Sequence, residues 1–222
     1  MAYSIVYLKI FSSFISVKTL FSRFYENDII KHMKNIKVLV EVSARHCHLS
    51  KTDLEKLFGA GYELKKMKQL SQPSDFACEE TVDILVGSKN FEKVRIVGPL
   101  RAQTQVEISL TDAVGSGLMP PVRLSGDLKG SVGVVLSSPS GKVELSEGLI
   151  IAKRHLHCAT DEAKKYKFKN RDVVSVKIEG DRPVIFEKVF VRVRDDYKFC
   201  LHLDTDEGNA ASINKIGEGQ IL

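Results

Sequence analysis

Tryptophan is absent from the 222 residues, and no dense run of lysine and arginine is interleaved with aromatic side chains. A nucleic-acid face therefore has little support, and no nucleic-acid partner is expected. The net charge of +5 is a mild basic excess that a small anionic substrate explains as well. Cysteine is scarce. Cys47, Cys78, Cys158 and Cys200 lie far apart with no Cys-x-x-Cys unit, which argues against a disulfide framework and for a reduced, cytoplasmic setting. No membrane span is expected, because the apolar stretch near the start is too short and too interrupted to cross a bilayer. There is no phosphate-binding P-loop, no Gly-x-Gly-x-x-Gly between a strand and a helix, and no Gly-x-Ser-x-Gly.

The apolar fraction of 43% is enough for a packed core. The length suits one large domain or two small ones. Residues 1–34 differ from the rest: Ile10, Phe14, Val17, Leu20, Phe21 and Phe24 follow a helical, amphipathic spacing. They lack the early basic cluster and small-residue cleavage site of a secretory signal. Two readings stand: a docking helix for a partner or shell, or an upstream extension, with Met33 an alternative start before the first core strand.

Four of the six histidines fall in two His-x-His units, Ser43-Ala44-Arg45-His46-Cys47-His48 and Ala152-Lys153-Arg154-His155-Leu156-His157. In a strand, residues i and i+2 share a face, so each unit sets two imidazoles side by side, ready to converge on one ion. Each unit is followed by a short helical pattern, at Ser50–Leu57 and Thr160–Tyr166. Phe91-Glu92-Lys93-Val94 returns as Phe186-Glu187-Lys188-Val189, and extending that match without a gap sets Glu107 on His202. The chain thus reads as an internal duplication with two equivalent sites, His46, His48 and Glu107 in one and His155, His157 and His202 in the other. Arg45 and Arg154 should face away from the ligands. Cys47, at the same repeat position as Leu156, suggests a small apolar role.

Ile36–Val42 is a β-branched strand running into the first unit, Ser50 an N-cap with Asp53 in its first turn, and Gly59 a helix stop. Residues 63–78 read as polar and irregular, Val82–Val86, Val94–Val97 and Thr104–Ser109 as strands, and Gly115–Pro121 as a loop. Gly148–Ala152 delivers the second unit. Val173–Ile178 and Val184–Val193 form a hairpin. Short, closely spaced strands with few short helices predict a mostly β fold of two small barrels.

Imidazole and carboxylate ligands suit zinc, with cobalt, nickel or iron as alternatives, and imply metal-ion catalysis. Arg101, six residues before Glu107, is placed to clamp a phosphate and steady an oxyanion, or else is a solvated turn arginine.

Residues 43–50 (Ser-Ala-Arg-His-Cys-His-Leu-Ser), 98–109 (Gly-Pro-Leu-Arg-Ala-Gln-Thr-Gln-Val-Glu-Ile-Ser), 152–157 and 202–210 (His-Leu-Asp-Thr-Asp-Glu-Gly-Asn-Ala) together resemble the phosphate propanoyltransferase family, the propanediol-utilisation type of phosphotransacylase. The resemblance covers about residues 36–213. It implies two intertwined β-barrels, two zinc ions per chain, and reversible transfer of a propanoyl or acetyl group between coenzyme A and phosphate. Carried over, His46, His48 and Glu107 hold one ion, His155, His157 and His202 the other, and Arg101 is the catalytic arginine. The domains would be 1–34 as extension, 35–46 plus 153–222 as a discontinuous barrel, and 47–152 as the second. Some members carry an amphipathic N-terminal peptide that directs them into the lumen of a bacterial microcompartment, and residues 1–34 have that character. A homo-oligomer is the expected assembly. The sequence departs from the family at Gly208 and Cys158, where alanine and methionine are expected. The runner-up is a cupin-like dioxygenase or isomerase, from Gly148, His155, His157 and Glu162, which would hold one metal per chain.

Overall fold

A computed structural model of the chain describes residues 36–222; the amphipathic segment 1–34 lies outside the described residues. The first repeat runs β1 (Ile36–Ser43), β2 (His46–His48), α1 (Lys51–Phe58), β3 (Lys66–Gln69), β4 (Phe76–Val86), β5 (Lys89–Gly98), β6 (Gln105–Ile108), α2 (Leu110–Ser116), β7 (Val122–Arg123) and β8 (Val132–Ser137). The second runs β9 (Lys142–Ala152), β10 (His155–Cys158), α3 (Thr160–Tyr166), β11 (Val173–Ile178), β12 (Val184–Val193), β13 (Cys200–Asp204), α4 (Thr205–Ala210) and β14 (Ile216–Ile221).

The strands close into two barrels, as the pattern of short strands predicts. One has the order β1-β13-β10-β12-β11-β14. The other has the order β4-β5-β2-β6-β9-β8, shut by β8 pairing with both β4 and β9. The two match strand for strand. Each His-x-His strand lies parallel to one neighbour, β2 to β5 and β10 to β12, and antiparallel to the other, β2 to β6 and β10 to β13. In turn β6 lies parallel to β9, and β13 parallel to β1. Thus β1, first strand of the first repeat, sits in the barrel of the second, and β9 does the reverse. The barrels are intertwined because each repeat supplies a strand to the other.

Side-chain alternation explains both cores. In β1, Ile36, Val38 and Val40 point inward and are buried, while Lys37 is exposed. In the His-x-His strands the residue between the histidines, Cys47 or Leu156, is fully buried in its own barrel's core. Period two then turns the histidines outward, away from the core and toward the site. Burial of each such aliphatic side chain is worth roughly 1.5–3 kcal/mol.

α1 is built as its sequence suggests: Ser50 Oγ accepts the Asp53 N–H at 3.2 Å, and Gly59 at φ +106° ends the helix. Two segments differ from expectation. Residues 66–69 form β3 against the start of β4, where an irregular stretch was expected. Residues 110–116 form α2, which runs through Gly115 and Ser116 into the stretch expected as a loop, capped by Ser109 on the Asp112 N–H at 3.2 Å. The Ser109 cap is the main local determinant of this helix.

Candidate metal centre

Strand register assembles two trios of donors. His46 stands opposite Glu107 across the β2–β6 pair, and His155 opposite His202 across the β10–β13 pair. The second histidine of each strand then lies diagonally adjacent on the same face. In each trio the three donor atoms lie within 4.8 Å of one another. His46 Nε2 is 3.7 Å from Glu107 Oε2. A tetrahedral ion with ligand bonds near 2.0–2.1 Å places adjacent donors about 3.3 Å apart, so this spacing needs only a small contraction. The rings of His155, His157 and His202 cluster with centroids 4.6, 5.4 and 4.5 Å apart.

Hydrogen bonds prepare the rings as ligands. Nδ1 of His46 donates to the Ala44 carbonyl at 2.8 Å, and Nδ1 of His155 donates to the Lys153 carbonyl at 2.9 Å, the same contact in both repeats. His48 Nδ1 donates to the Val97 carbonyl at 2.8 Å. With the ring proton on Nδ1, Nε2 is left as a bare lone pair, the form a metal takes. Two further buried nitrogens, His157 Nδ1 and His202 Nε2, have no hydrogen-bond partner. The orphaned His157 Nδ1, in a cluster of imidazoles, fits a cation.

Electrostatics act in the same direction. Burial lowers the pKa of His48, His155 and His157, and neighbouring cations lower them further; His155 falls to about 3. All three rings are neutral at neutral pH. Burial alone would raise the Glu107 carboxyl, but His46, His48 and Arg101 outweigh it and hold the group well below the usual carboxylate range. The two trios are close enough for Glu107 and His46 to act on His202.

Arg101 is half-buried, and its backbone N–H is fixed on the Leu49 carbonyl at 2.9 Å. Its Nη1 donates to Ser125 Oγ at 2.8 Å, and Ser125 donates in turn to Glu107 Oε1 at 3.0 Å. Gln105, opposite His48, also donates to Ser125 Oγ, at 2.8 Å. Desolvation lowers the arginine's pKa, yet it stays a cation at any physiological pH. The register thus brings Arg101 together with the Glu107 trio.

Arg45 and Arg154 point away. Arg45 grips Asp112 with two bonds of 2.9 Å, and Arg154 pairs with Glu207 at 2.6 Å. Cys47 and Cys158 lie in the barrel cores. Glu162, the carboxylate of the cupin-like alternative, accepts the Ala159 N–H at 2.9 Å at the start of α3 and belongs to neither donor trio. Sequence reasoning missed Ser125, Gln105, Glu41 and Tyr197, the last stacked on His157 at 4.1 Å. Only Gln105 carried a local signal, its place two residues before Glu107.

Two matching barrels each present three imidazole or carboxylate donors at one register, and a fixed guanidinium stands beside the Glu107 trio. The model of the phosphate propanoyltransferase family matches residues 39–214. A phosphate propanoyltransferase of Thermotoga maritima is 51% identical over 178 residues, covering 80% of this chain and 85% of that protein. Those of Clostridioides difficile and Priestia megaterium are 42% identical (90% and 95% covered) and 49% identical (80% and 82% covered). The chain belongs to the phosphate propanoyltransferase family and is an acyltransferase.

Proposed function

We propose that the chain transfers a short acyl group, propanoyl or acetyl, reversibly between coenzyme A and inorganic phosphate at a two-zinc site. His46, His48 and Glu107 would hold one ion, His155, His157 and His202 the other, with Arg101 as the catalytic arginine. The observation that carries this reading is the pair of ligand-ready trios, with the Arg101 guanidinium beside the Glu107 trio. The names of the relatives support the reaction.

Bound zinc would supply Lewis acidity toward the thioester carbonyl and the phosphate oxygens. Arg101 binds phosphate through its guanidinium, oriented by Ser125, and meets the charge that develops on the carbonyl oxygen. A phosphate oxygen forms a bond to the acyl carbon, the carbon–sulfur bond breaks, and the coenzyme A thiolate leaves. Burial of the cluster strengthens each of these interactions relative to water.

Domain division at 35–46 plus 153–222 against 47–152, a homo-oligomer, and a cytoplasmic setting or a place in a microcompartment lumen through residues 1–34 belong to the same reading. Four buried, unpaired thiols fit a reducing compartment.

Thiol release from propanoyl- and acetyl-coenzyme A, measured with and without phosphate, tests the reaction. Release should require phosphate and vanish in Arg101→Ala and in chelator-stripped protein. Release without phosphate makes the protein a thioesterase, and no release from protein holding two ions sinks the assignment.

A further inference from the structure

Glu41 lies on β1, opposite His202 in the parallel pairing with β13, while His202 faces His155 on its other flank. One imidazole therefore stands between a carboxylate and a histidine. Glu41 Oε2 is 3.5 Å from His202 Nε2, and each side chain is 19% exposed. The same carboxylate oxygen accepts Ser71 Oγ, which reaches over from the β3–β4 connection of the other barrel. His202 Nε2 is otherwise without a partner. In the other barrel the position opposite Glu107 is Ile150, which offers no polar atom. The contact is peculiar to the three-histidine trio, which has no carboxylate of its own. Cys200 also lies within 4.8 Å of the Glu41 and His202 donor atoms. Burial, with Glu41 nearby, raises its thiol and keeps it protonated.

We propose that Glu41 is a positioning residue for this trio: it accepts a hydrogen bond from Nε2–H of His202 and so fixes the tautomer whose bare nitrogen is Nδ1. A neutral imidazole carries a single ring proton, so the nitrogen that meets the carboxylate decides which one remains to bind. His202 would then present the opposite nitrogen from His46, His48 and His155, whose Nδ1 atoms donate to the main chain. Ser71 anchors the carboxylate, so the docking of the barrels reaches the site through one side chain. The inference rests on the two-metal reading above.

The test uses the metal-loaded full chain, its zinc counted and then titrated with a competing chelator, beside nitrogen-15 NMR of its histidines. Wild-type protein should hold two ions, with His202 protonated at Nε2 and His46, His48 and His155 at Nδ1. Glu41→Leu should release one ion at a 10- to 100-fold lower chelator concentration, the range for loss of such a supporting group, while the other ion is retained as in wild type. Glu41→Gln keeps an acceptor oxygen and should recover most of that affinity. Equal chelator resistance in both variants and wild type overturns the proposal, as does a His202 protonated at Nδ1. If Glu41→Leu does not fold, Glu41→Gln and the wild-type tautomer decide. A wild type holding fewer than two ions sinks the two-metal reading and this inference with it; intact metal in every variant sinks the inference alone.

Discussion

Gly208 packs its backbone against the barrel so closely that a Cβ would lie 2.6 Å from Val42 Cγ2 and 2.9 Å from the Ile213 carbonyl oxygen. The departure from alanine at this position is thus bound to its neighbours. Gly208→Ala should destabilise by about 1–3 kcal/mol, the usual cost of overpacking, read as a lower melting temperature. Adding Val42→Ala should return part of the loss. Asp53 illustrates a polar residue with a pH signature. Burial would raise its carboxyl, but hydrogen bonds from Thr104 (2.6 Å), Ser50 and Lys56 outweigh that and lower it. In acid the unfolded chain then binds more protons than the folded one, so stability rises with pH there. The contribution is full above the ordinary value of 3.8 and disappears as pH falls through the lowered one. Asp53→Asn should flatten that acid limb in denaturant midpoints measured against pH, and a limb as steep as wild type would contradict the assignment.

The repeated elements explain a motif that chemistry alone does not. Arg45 stacks 4.6 Å over Phe91 and Arg154 5.3 Å over Phe186, the two phenylalanines of the duplicated Phe-Glu-Lys-Val. The next lysines but one, Lys93 and Lys188, both take positive φ, 53° and 55°. Each arginine then binds the third residue of the helix after the ligand strand, Asp112 in α2 and Glu207 in α4. This ties the helix start to the His-x-His strand, holding the ligand strands in register. Arg154→Ala should cost roughly 1 kcal/mol in chemical denaturation, in the range of a partly exposed pair, and leave the KM for phosphate unchanged. A large rise in that KM would move Arg154 into the substrate site.

At the scale of the whole molecule, the exchange of β1 and β9 makes the barrels interdependent. Gln72, 2% exposed, adds a clasp: its amide donates to the Lys198 carbonyl at 3.0 Å and accepts the Lys198 N–H at 3.1 Å. Each barrel lacks a strand when its repeat is taken alone, exposing a row of unpaired backbone groups and part of its core. Thermal unfolding should therefore appear as one transition, coincident by circular dichroism and by fluorescence of the tyrosines. A fragment of residues 142–222 should show no cooperative melting. Independent melting of that fragment would mean that β1 is dispensable to its barrel.

Period-two alternation is a local property of the backbone. The sequence by itself therefore determined the paired imidazoles of His46 and His48, and of His155 and His157, and that Cys47 and Leu156 turn inward. Because the repeat preserves register, it also singled out Glu107 and His202 as third members. The short helices α2 and α4 were hidden because each carries a glycine, a poor helix former, whereas the equally short α3 has none. The exchange of first strands was implied by family likeness alone, and closure of the barrels decided it. Glu41, Ser71 and Ser125 became neighbours of the site only through pairings between distant strands and the docking of one barrel on the other. Such contacts depend on long-range register, which no window of sequence contains.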